Sequence, residues 1–226
     1  MTNIPRLIPV AEPRNPEGAV LVLHGGASRQ GNPMVSPTQL SVLRMVPIAR
    51  RVAGAGHRRL AVYRLLNSTR GWDTTHTPVD DVHWAIDQLH EGLTDRLPVG
   101  LVGHSLGGRA AILAGDRPEV RSVVALNPWV YPADGDVDLS GRRVLIVHGT
   151  DDRIARPDNS AAAAARLARS AEVSYVRVEG GKHAMLRRHR DFDRLAADFT
   201  AAALLDNARP TRLVERVLAS DQPVDI

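Results

Sequence analysis

The 226-residue chain contains no cysteine. That excludes disulfides, thiolate metal sites and a cysteine nucleophile, and it fits a reducing compartment, so a cytoplasmic location is expected. Lysine is almost as scarce. Lys182 is the only one, and arginine carries nearly all the positive charge. The arginines occur in scattered pairs (Arg50-Arg51, Arg58-Arg59, Arg142-Arg143, Arg187-Arg188) rather than in one basic block interleaved with aromatics. With a net charge of only +4, this pattern argues against a nucleic-acid partner and for solvated ion pairs. No apolar run approaches the roughly 18 residues of a membrane span. The opening MTNIPRLIPV has no long apolar core behind a basic flank. Neither a membrane partner nor a secretory signal is therefore expected.

What the chain does have is enough apolar material, 43% of residues, for one sizeable core. Short apolar runs alternate with longer amphipathic stretches. GAVLVLHGG (Gly18–Gly26), RLAVYRLLN (Arg59–Asn67), PVGLVGHS, VRSVVALNP, RRVLIVHG and EVSYVRVEGG (Glu172–Gly181) read as strands. LSVLRMVPIARRVAGAG (Leu40–Gly56) reads as a helix with Leu43, Val46 and Ile48 among its apolar positions and Pro47 as a kink or local start. VDDVHWAIDQLHEGL (Val79–Leu93) is a second helix, with Val82, Ala85, Ile86 and Leu89 on one face. LGGRAAILAG, SAAAAARLARSA and RDFDRLAADFTAAALLD (Arg190–Asp206) complete the helical set. Most of these strands are apolar throughout, as strands buried on both faces are, so the alternation predicts an α/β fold with a mostly parallel, doubly wound sheet. No linker divides the chain. Residues 1–226 are expected to form one domain with its core at about 18–206, and 207–226 to form a tail with a short helix around TRLVERVLAS and a loose end. That tail could dock on the body or serve a homodimer.

In such a sheet the site lies beyond the carboxyl ends of the strands. Ser105, Asp151 and Asp152, and His183 each follow a strand, in that order along the chain. Gly103-His104-Ser105-Leu106-Gly107 matches G-x-S-x-G, with a strand before it and a helix after it. That pattern and that chain order are the signature of a nucleophile elbow in the α/β-hydrolase fold.

At residue level LVLHGG, GHSLGG, VLIVHGTDD and GGKHAML resemble the α/β-hydrolase family from about Gly18 to Asp206. The compact form, with little or no cap, is most similar to small carboxylesterases and dienelactone-hydrolase-like proteins. The latter often use cysteine where this chain has serine. The resemblance implies Ser105 as nucleophile, His183 as base and Asp152 as the acid that orients it. Asp151 and His189 are the neighbouring competitors. A serine hydroxyl needs such a base near neutral pH, and the base needs an acid to fix its tautomer. The oxyanion donors are expected to be the N–H of Leu106 and an N–H from the Gly25-Gly26-Ala27 loop, Gly26 in preference to Ala27. Substrate-pocket candidates at the strand ends are His24, Ala27, Trp72, His104, Trp129 and Tyr131. The last two and Trp72 stand out because the chain has only three tryptophans, three tyrosines and two phenylalanines.

No cofactor and no metal are expected. His24 and His148 read as strand-end histidines bonded to neighbouring loops, and DGDVD (Asp134–Asp138) as a solvated turn rather than a calcium loop. No Gly-Lys-Ser/Thr follows GHSLGG, and no G-x-G-x-x-G follows the first strand, so nucleotide binding has no motif. The stretch between Ser105 and Asp152 is filled by a helix, two strands and their connections, which leaves little for a lid. The expected activity is a serine hydrolase acting on a small-molecule acyl substrate, chiefly carboxylic esters. Thioester cleavage, acyl transfer, peptide cleavage, or a binding protein on the same fold are the alternatives.

Overall fold

The structure is a computed structural model that describes residues 4–26, 35–72, 75–92 and 97–226. Strands β1 (Arg6–Ala11), β2 (Gly18–Leu23), β3 (Leu60–Leu66), β4 (Val99–His104), β5 (Val120–Leu126), β6 (Arg143–Gly149), β7 (Glu172–Val178) and β8 (Val224–Asp225) form one sheet in the order β1-β3-β2-β4-β5-β6-β7-β8. The β1–β3 pair is antiparallel and the other pairs are parallel. Helices α1 (Leu40–Ala55), α2 (Thr77–Gly92), α3 (Leu106–Leu113), α4 (Pro157–Leu167), α5 (His189–Leu204) and α6 (Arg212–Leu218) flank it.

The apolar strands divide their side chains between two cores. Ala19, Leu21 and Leu23 of β2, with Val99 and Leu101 of β4, face the core that holds Val82, Ala85, Ile86 and Leu89 of α2 and the apolar residues of α3 and α4. Val20 and Val22, with Val102, face the core supplied by α1, α5 and α6. This two-sided burial is why the central strands carry no polar alternation. Both phenylalanines, Phe192 and Phe199, lie on α5 and are fully buried in the second core.

Three details differ from the sequence reading. On α1 the buried stripe is Val42, Met45, Ile48, Ala49 and Val52, a spacing set by the helical period; Leu43 stands out from it, 46% exposed. β1 lies at the sheet edge before Gly18, half exposed, with Pro9 beside a register shift, a place where a missing N–H costs little. The chain end is not loose: Val224 and Asp225 pair with Val176 and Arg177, and Arg177 Nε and Nη2 donate to the Asp225 carboxylate at 2.6 and 2.7 Å.

The order places a switch point at β2, whose neighbours β3 and β4 lead to opposite halves of the sheet. The loops after β2 and β4 therefore open side by side, where open α/β sheets bind ligands. Since α5 anchors one face through its only large rings, Phe199→Ala should cost about 3–5 kcal/mol in urea unfolding.

Candidate active site

Ser105 joins β4 directly to α3 with φ 55° and ψ −119°, a conformation that non-glycine residues rarely occupy. It is pinned there. Its N–H donates to Leu126 O at 3.0 Å, and its carbonyl accepts the N–H groups of Arg109 and Trp129, both at 3.1 Å. The flanking glycines are required by close approach. A Cβ on Gly103 would lie 2.1 Å from Gly107 O, and one on Gly107 would lie 2.5 Å from Leu23 O and 2.6 Å from His24 O. Strand β4 and helix α3 can pack this tightly on each other and on β2 only without those side chains.

The turn brings Ser105 Oγ to 3.0 Å from His183 Nε2. His183 Nδ1 lies 2.8 Å from Asp152 Oδ2. An ionised carboxylate only accepts, so Nδ1 carries the proton and, in the neutral ring, Nε2 is free to accept from the serine hydroxyl. Asp152 Oδ1 accepts the N–H groups of Ile154 and Ala155 at 2.8 and 3.0 Å. His148 Nε2 is 3.2 Å from Oδ2. Burial acts to raise the Asp152 pKa. Hydrogen bonds from His148, His183 and Ile154, with the nearby His183 charge, outweigh burial and hold the carboxyl well below its usual range.

His183 is held through its backbone as well. Its carbonyl accepts from Asn127 Nδ2 at 3.1 Å and from His104 Nε2 at 2.8 Å. Asn127 also donates to Lys182 O and accepts from Gly149 N, so one buried amide ties the ends of β5 and β6 to the histidine loop. Its φ of 41° is one asparagine tolerates better than most residues. Burial, and then the nearby His183 charge, push the His104 pKa down to about 3. His104 is therefore a neutral N–H donor at working pH.

These groups open into a cavity of about 1110 Å³, whose lining includes Gly26, Ser105, Leu106, His183 and, from the sequence candidates, His104, Trp72, Trp129 and Tyr131. His24 is not in that lining. It is buried, and its Nδ1 pairs with Gly25 O at 2.7 Å while Nε2 accepts from Asn67 N at 3.2 Å, so it braces the loop that carries Gly26. Ala27 lies outside the described residues. Asp151 is exposed, His189 is exposed at the start of α5, and neither lines the cavity. Leu40, Leu43, Tyr131, Ile154 and Leu186 are exposed apolar residues, and all five line the cavity. DGDVD is not simply solvated: Asp134 is buried and ion-paired with Arg109, which the sequence reading did not single out. Among the described residues no helix is long and apolar enough to cross a membrane, and no group of three or more ligating side chains is placed to hold a metal.

A family model described as "Alpha/beta hydrolase family" matches residues 84–190. Among solved structures, Est1E from Butyrivibrio proteoclasticus with ferulic acid bound is 16% identical, with a TM-score of 0.67 over 88% of this chain and 95% of that one. A monoacylglycerol lipase from Paleococcus ferrophilus is 17% identical, with a TM-score of 0.64 over 88% and 99%. A hyperthermophilic esterase from the archaeon Pyrobaculum calidifontis is 16% identical, with a TM-score of 0.62 over 88% and 87%. The fold is the α/β-hydrolase fold, with little added cap. No curated protein sequence matches it.

Two outcomes follow from this packing. Gly107→Ala should abolish soluble, folded protein or sharply lower its melting temperature, because the new methyl meets backbone rather than a movable side chain. His104 has a folded pKa far below the ordinary histidine value, so the unfolded chain binds the extra proton and stability falls as pH drops from about 6.5 toward 3. His104→Gln should flatten that slope in urea titrations between pH 7 and pH 4.

Proposed function

We propose that this chain is a serine hydrolase that cleaves carboxylic esters of small molecules through an acyl-enzyme, with residues 1–226 acting as one catalytic domain. The observation that carries the reading is the unbroken hydrogen-bonded line from Ser105 Oγ through His183 to Asp152 at the floor of an apolar cavity. In this reading His183 Nε2 takes the hydroxyl proton as Ser105 Oγ attacks the ester carbonyl carbon. The carbonyl electron pair moves onto oxygen. The Leu106 N–H, at the start of α3, and the Gly26 N–H receive that charge, each such donor being worth about 3 kcal/mol of barrier.

The intermediate collapses as the carbon–alkoxy bond breaks, and His183 gives its proton to the departing alkoxide. A water molecule then enters, loses a proton to His183 and attacks the acyl carbon. The acid leaves, and Ser105 regains its proton. Asp152 remains ionised throughout, fixing the tautomer and stabilising the transient imidazolium. The N–H groups of Ile154, Ala155 and His183 Nδ1, with His148 Nε2 at 3.2 Å, favour that ionised state. The open mouth, rimmed by exposed Leu40, Ile154 and Leu186, gives water access to the acyl-enzyme and favours hydrolysis over acyl transfer. The esterase and the monoacylglycerol lipase of similar fold agree with ester chemistry.

Turnover of short p-nitrophenyl esters tests the reading. Asp152→Asn should lower kcat by roughly 10⁴, and Ser105→Ala by at least that much, the serine variant with little change in melting temperature. Wild-type protein without turnover, or Ser105→Ala with it, would overturn the assignment.

A further inference from the structure

The cavity wall beside Ser105 holds a charged side chain that ester cleavage does not use. Arg109 lies one turn beyond Ser105 on α3 and is buried. Its Nε and Nη2 donate to the two carboxylate oxygens of Asp134 at 2.8 and 3.0 Å. Asp134 Oδ2 also accepts the Tyr131 N–H at 2.8 Å. A buried ion pair is a weak source of stability, because desolvating two charges offsets much of their attraction. Its surroundings indicate another role.

The Arg109 guanidinium carbon lies 4.4 Å from the Trp72 ring centroid, 5.1 Å from that of Tyr131 and 6.0 Å from that of Trp129. Trp129 and Tyr131 meet edge to face, with centroids 5.3 Å apart and planes at 75°. Rings from two separate segments, after β3 and after β5, are thus gathered on one ion-paired guanidinium of α3, and Arg109 and all three rings line the cavity that holds Ser105. The lining also carries the aliphatic side chains of Leu40 and Leu43 of α1, with Ile154 and Leu186, beside Arg44 and Arg70.

Asp134 already compensates the Arg109 charge with both carboxylate oxygens, so this wall does not read as an anion site. What it offers a ligand is pre-oriented aromatic surface, with Tyr131 half exposed. A flat ring meeting such a surface loses little to side-chain ordering and gains ring–ring contact that a puckered ring of similar size cannot make. We propose that Trp72, Trp129 and Tyr131, held by Arg109, form a ring-recognition subsite. The substrate class is then a carboxylic ester with a planar aromatic group on one side of the ester bond. Arg109 is a specificity-determining residue that acts through the rings it positions. The inference rests on the ester-hydrolase reading for its chemistry, but the subsite can be tested without turnover.

The test uses two ester pairs, each differing only in whether the six-membered ring is flat. Methyl 3-phenylpropanoate against methyl 3-cyclohexylpropanoate places the ring on the acyl side. 2-Phenylethyl propanoate against 2-cyclohexylethyl propanoate places it on the alcohol side. Reactivity at the carbonyl is alike within each pair, so the ratio of kcat/KM values reads ring recognition. Wild type should favour the phenyl member of at least one pair by about five- to tenfold, the upper part of what aromatic contacts give. Arg109→Met, and independently Tyr131→Leu at the half-exposed rim, should bring that ratio to within twofold of one. A purely structural role for Arg109 would lower both members alike and leave the ratio unchanged, which would overturn the proposal, as would a wild-type ratio near one in both pairs. The same esters titrated into Ser105→Ala protein by tryptophan fluorescence give the ratio of Kd values. Preferential phenyl binding without turnover in wild type would sink the hydrolase reading and keep the subsite. Turnover with no ring preference would do the reverse.

Discussion

The site depends on one strained turn. Ser105 sits at φ 55° and ψ −119°, a backbone state costing on the order of 1–3 kcal/mol. The surroundings leave it no alternative. Its N–H and carbonyl are both engaged, by the end of β5, by α3 and by the loop that begins at Trp129. Gly103 packs against Gly107, and Gly107 against the carbonyls of Leu23 and His24, with no room for a side chain at either glycine. The hydroxyl is thereby lifted clear of the sheet, at the switch point between β2 and β4, where the Gly25-Gly26 loop and the histidine loop meet it.

The electrostatics follow from how each histidine is spent. His24 and His104 are buried, and burial drives both toward the neutral form. As neutral rings they serve as braces, one for the Gly26 loop and one for the His183 carbonyl. His148 Nε2 lies 3.2 Å from both Ala155 O and Asp152 Oδ2, and its Nδ1 lies 2.7 Å from Ser160 Oγ. His183 alone among them reaches the serine hydroxyl, and its Asp152 partner is kept ionised by converging donors. Neutral buried rings and one anchored carboxylate leave His183 as the ring best placed to take a proton from Ser105.

The sheet was legible in the sequence because its central strands are buried on both faces and so are written as unbroken apolar runs. β1 and β8 were not, since β1 is half exposed and carries Pro9, and β8 has only two residues. Ser105, Asp152 and His183 could be singled out because each follows a strand within a local motif. Arg109, Asp134 and Asn127 could not be assigned roles in advance. Their partners lie on other elements, and only the fold brings a DGDVD carboxylate to an arginine on α3. Leu43 shows the same limit on a smaller scale: helical period fixes which residues share a face, but not which face meets a cavity.

The central claim is that Ser105 is an activated nucleophile, made so by its turn and by His183. Active-site labelling with a fluorophosphonate probe, read by intact mass and by mapping the modified peptide, tests it most directly. The account predicts a single adduct at Ser105 that is lost or greatly slowed in His183→Ala protein. Folded wild-type protein that takes up no label, or labels at another residue, would contradict it.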